Sequence, residues 1–87
     1  MNEQELSRLA AHTVDTLARL PGGLILAVWP DGSVSTENPG FVVRRDGGRI
    51  TQPLLTLQTG RMLSFHEVQT QLFAAARDHN LLNQPPQ

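Results

Sequence analysis

At 87 residues the chain is one domain's worth, with too little length for a second core. Its apolar content of 39% supports a modest core, and a net charge of −1 points neither toward nucleic acid nor away from it. Cysteine is absent, which excludes disulfides, thiolate chemistry and any cysteine-based zinc site.

The longest apolar run, Leu24 to Trp29, is six residues, against the ~20 that a spanning helix needs. Glu3, Glu5, Arg8, Asp15 and Arg19 interrupt the region where a signal peptide would place its apolar segment, so the expected location is the cytoplasm. The start methionine and short tail suggest a complete small gene product. A domain this small and unstapled has limited stability to spare, and homodimerisation is a common remedy.

The first helix begins at Asn2, a capping residue, with Glu5 completing a capping-box pair. Leu6, Leu9, Ala10, Val14, Leu17 and Ala18 recur at helical spacing on one stripe. Leu20-Pro21-Gly22-Gly23 ends the helix, because proline disfavours helix at the residue before it. Leu24 to Trp29 reads as a strand stopped by the turn Pro30-Asp31-Gly32. Ser33 to Glu37 alternates weakly around Val34, and Asn38-Pro39-Gly40 turns again.

Phe41 to Arg45 is the next clear strand, and Asp46-Gly47-Gly48 supplies the positive φ of a tight hairpin. Arg49 to Thr51 returns antiparallel to it. After Pro53, Leu54 to Gln58 is either a continuation past a bulge or an edge strand. The second helix opens with the capping box Ser64-Phe65-His66-Glu67, and Leu63 and Val68 stand at the two positions of a hydrophobic staple. Its stripe is Phe65, Val68, Leu72, Ala75, Ala76 and His79; Asn80 can take a left-handed cap, with Leu81 or Leu82 folding back.

The expected fold class is therefore α+β in the order α-β-β-β(-β)-α, a short antiparallel sheet with both helices packed on one face. The domain spans residues 1–82, with a disordered C-terminal tail over 83–87.

Motifs for chemistry are lacking. His12, His66 and His79 form no ligand spacing. Ser7, Ser33, Ser35 and Ser64 stand in no nucleophile elbow, and the glycine pairs do not precede a helix as phosphate loops do. The reading is a non-enzymatic domain with no metal and no cofactor. The helix-strand-helix order resembles that of the double-stranded RNA-binding domain, a family that places basic residues, mostly lysines, at the start of its second helix. Here those positions read Ser64, Phe65, His66 and Glu67, and lysine is absent, so the likeness is architectural.

All seven basic residues are arginine. Such a complement arises from nucleotide composition alone, and it also suits bidentate recognition. Arg44, Arg45, Arg49 and Arg61 cluster in a stretch whose only acid is Asp46, which makes the sheet basic between mildly acidic helices.

With Leu24, Leu26, Val28, Phe41, Val43, Ile50, Leu55 and Leu57 facing the helices, alternation sends Ile25, Trp29, Val42, Arg44, Arg49 and Leu54 to the other face. That face is too apolar for a solvated one, and Trp and Arg are enriched in interface hot spots. One reading makes it a docking surface of a regulator, inhibitor or accessory subunit, binding a protein partner or a second copy. The alternative is nucleic-acid binding, with Trp29 stacking on a base and Arg44, Arg45, Arg49 and Arg61 on phosphates. In a third reading these groups only complete the fold, since a one-residue slip exchanges the faces.

Overall fold

The computed structural model describes residues 1–40 and 42–81. Phe41, expected to face the helices, Leu82 and the tail expected over 83–87 lie outside the described residues.

Helix α1 (Glu3–Arg19) starts where the capping box places it: the Asn2 side chain accepts from the Glu5 N–H at 2.7 Å, and the Glu5 carboxylate accepts from the Asn2 N–H at 3.2 Å. It ends at Leu20, extended before Pro21. Its buried stripe is Leu6, Leu9, Ala10, Thr13 and Leu17; Val14 is only half-buried and Ala18 is exposed. Thr13 is tolerated in the core because its hydroxyl donates to the Leu9 carbonyl at 2.7 Å.

Five strands follow: β1 (Ile25–Val28), β2 (Val34–Glu37), β3 (Arg44–Asp46), β4 (Arg49–Thr51) and β5 (Leu55–Gln58). They form two sheets. The larger has the order β2-β1-β5, all antiparallel, and the smaller is the hairpin β3-β4 alone. Leu26 stands opposite Leu57 and Val28 opposite Leu55. The segment after Pro53 is thus an edge strand on β1 and not a continuation of β4. Its entry is fixed by the Leu54 N–H, which donates to the Val28 carbonyl at 2.7 Å. Its exit is fixed by buried Thr59, whose hydroxyl bonds both the N–H and the carbonyl of Leu24.

Helix α2 (Phe65–Asp78) carries the second capping box, Ser64 with Glu67. It terminates as expected at Asn80, in the left-handed region with φ 56°. The Asn80 N–H donates to the Arg77 carbonyl and the Leu81 N–H to the Ala76 carbonyl, so Leu81 folds back onto the last turn. Val68, Leu72 and Ala76 are buried; Phe65, expected in the stripe, is 42% exposed, because Leu63 packs against the core at that end. His79 is also exposed.

The helices pack antiparallel on each other and on one face of the larger sheet. Leu6, Leu9, Ala10 and Leu17 meet Val68, Leu72 and Ala76 above Leu26, Val28 and Leu57 in one cluster. At the far end of this layer Gly60 lies against Gly22. A Cβ on Gly60 would stand 2.9 Å from the Gly22 Cα, and Gly60 itself has φ +88°. Gly60→Ala should therefore destabilise the fold by more than about 2 kcal/mol, read as a lowered denaturation midpoint. Gly22→Ala, whose Cβ would meet only ordinary contacts, should cost less than about 1 kcal/mol.

Candidate functional site around Trp29

The second face of the larger sheet is where one reading of the sequence placed a docking surface. Ala27, Trp29 and Leu54 are all buried yet stand outside the helix-side cluster, as strand alternation requires. Trp29 is 1% exposed and Leu54 7%. Of the readings the sequence left open for these two residues, their burial fits the one in which they complete the fold itself.

How it does so follows from three contacts. The Trp29 indole N–H donates to the Ser35 hydroxyl at 2.7 Å, and Ser35 is the cross-strand partner of Ala27. The ring thus lies back along the sheet, its polar edge satisfied. The Arg44 guanidinium sits over the ring, 4.1 Å from its centroid. Arg44 also pairs with Asp31 at 3.4 Å. A cation over an indole contributes about 0.5–2 kcal/mol, and a largely exposed ion pair about 0–1 kcal/mol.

Asp31 belongs to the turn that aims this group. Its Oδ1 accepts from the Ser33 hydroxyl at 2.6 Å and from the Ser33 N–H at 3.0 Å, closing an Asx turn. These bonds hold its carboxyl below the usual 3.8, the Ser33 hydroxyl contributing most and Arg44 less.

The remaining residues disperse. Ile25 and Val42 are half-buried, and Arg44 keeps 39% of its side-chain exposure. Arg49 is exposed, paired across the hairpin with Asp46. Arg45 and Ile50 form the cross-strand pair on the opposite side from Arg44, and Ile50 is 62% exposed. Ile50 was expected to face the helices. It does not, because β3-β4 is a separate sheet whose facing is set by Arg44 and not by the alternation of β1.

Arg61 stands apart from the other three arginines. It borders a depression with Val14, Leu17 and Ala18, whereas Asp31 and Gly32 border Met1, Glu5, Arg8, Leu9 and His12 at the other end of α1. The four arginines therefore do not converge on one surface.

Asp31, Ser33 and Ser35 were not foreseen as site residues. A signal for them existed: Asp-Gly-Ser after a proline is an Asx-turn sequence, and Ser35 shares the facing of Ala27.

On the helix side an open groove of about 660 Å³ runs between α1 and α2, bordered by Glu3, Ser7, Gln69, Phe73 and Arg77. Ser7 and Gln69 are hydrogen-bonded across it at 3.0 Å. Among the described residues no group of three or more His, Cys, Asp or Glu side chains could hold a metal ion, and no helix is long and apolar enough to cross a membrane. No family model, curated protein or solved structure matches the chain.

The Asp31 carboxylate has a testable consequence. Because its folded pKa is depressed, the stability it contributes is present above 3.8 and is lost as pH falls through the lower folded value. An NMR titration should place Asp31 below 3.8, and Ser33→Ala should raise it further than Arg44→Ala does.

Proposed function

We propose that the protein is a small non-enzymatic interaction module that docks a protein partner or a second copy of itself through the β3-β4 hairpin. The observation that carries this reading is Ile50, a large apolar side chain left 62% exposed on a hairpin of its own. Exposed Arg45, its cross-strand partner, stands beside it on the same side of the hairpin. An apolar anchor with arginine at its rim has the composition of a binding hot spot. Of the residues first expected to bind, Arg49, Arg44, Val42 and Ile25 retain access to solvent; Trp29 and Leu54 are buried.

The alternative, nucleic-acid binding, loses its stacking platform. Trp29 is buried under Arg44, and Arg61 is remote from the hairpin. Three hairpin arginines alone supply few phosphate contacts.

Size-exclusion chromatography with light scattering, alongside affinity capture, tests the proposal. Wild-type protein should run as a dimer or retain a partner, with little dependence on salt, and Ile50→Asp should abolish that association while leaving the circular dichroism spectrum unchanged. An Ile50→Asp protein that associates as wild type does, or a wild type that stays monomeric and captures nothing, contradicts the proposal. Binding to RNA or DNA that falls steeply with salt and with Arg44→Ala plus Arg49→Ala would favour the alternative.

A further inference from the structure

We infer that the β3-β4 hairpin is a flap, latched over Trp29 by Arg44, whose opening uncovers a second apolar surface. The inference goes beyond docking at Ile50, because it concerns a movement of the chain itself and needs no partner.

Three observations carry it. The hairpin forms its own two-stranded sheet, and among the described residues no backbone hydrogen bond joins residues 42–52 to the rest of the fold. An isolated hairpin is marginal in water, so this one depends on what holds it down. Among the described residues, its two polar attachments to the body both run through one side chain: Arg44 to the Trp29 ring and Arg44 to Asp31. Finally, the ring it covers lies on a face that carries Ile25, Ala27 and Leu54 as well, whereas the flanking strands offer Ser35, Glu37, Thr56 and Gln58 there. An indole lying along a sheet keeps its outer surface wet unless something covers it, and Trp29 is 1% exposed. Lifting the hairpin exposes an apolar shelf along β1, bounded by polar rails.

Local opening of this kind belongs to segments with few contacts to the core, and its free energy lies below that of global unfolding. Both latch contacts are individually weak, so the closed state is favoured without being locked.

The sequence supplies its own probe: Trp29 is the single tryptophan and tyrosine is absent, so intrinsic fluorescence reports on this site alone. Two measurements test the flap. In acrylamide quenching, wild-type Trp29 should be weakly quenched, and Arg44→Ala should be quenched severalfold more at an unchanged far-ultraviolet spectrum. In native-state hydrogen exchange on the wild type, the β3-β4 ladder amides should exchange about 100-fold faster than those of β1, through an opening that leaves β1 protected. Equal quenching of Trp29 in a folded Arg44→Ala protein overturns the latch. Hairpin amides that exchange only at the rate of β1 overturn the flap, and this second result stands even if the variant fails to fold.

Discussion

Much of this structure depends on covering one indole. A sheet of three four-residue strands has two faces, and two helices cover only one of them. The other carries Trp29, the largest apolar side chain in the sequence, at the end of the central strand. Leaving it wet would forfeit burial of the order of 2 kcal/mol or more in a domain with little stability in reserve. The solution is local: Ser35 takes the indole N–H, Leu54 enters beside it, and Arg44 lies across its face. The turn at Asp31 and the separate hairpin serve that arrangement.

Covering the indole with an arginine has a consequence for function. A leucine in place of Arg44 would cover the ring with an uncharged side chain that has no pairing with Asp31. A guanidinium instead stacks on the ring while keeping its charge hydrated and paired with Asp31. The hairpin is thereby attached to the body without being fused to it. Its outer side, with Ile50 beside Arg45, is the contact surface proposed for this module.

The sequence was most legible where the physics is local. Asn2 with Glu5 and Ser64 with Glu67 mark both helix starts by residues three apart, and Asn80 marks a helix end through its tolerance of positive φ. The alternation of Leu26, Val28, Leu55 and Leu57 toward the helices also followed from the chain alone. What the sequence did not disclose is tertiary. Nothing in residues 44–51 says that the hairpin forms its own sheet, so the facing of Ile50 was read from the wrong frame. Pro53 signalled a break without saying that β5 would pair with β1. The guanidinium over Trp29 comes from Arg44, fifteen positions along the chain, and no periodicity links the two.

Trp29 is held by its own chain, with the indole N–H on Ser35 and the Arg44 guanidinium on the ring. Proton NMR of the wild-type protein tests this arrangement. The Arg44 side-chain protons should be shifted upfield by the ring current of Trp29, and the indole N–H should exchange slowly with solvent. Arg44 resonances at their unstructured positions, together with an indole N–H exchanging as in free tryptophan, would contradict it.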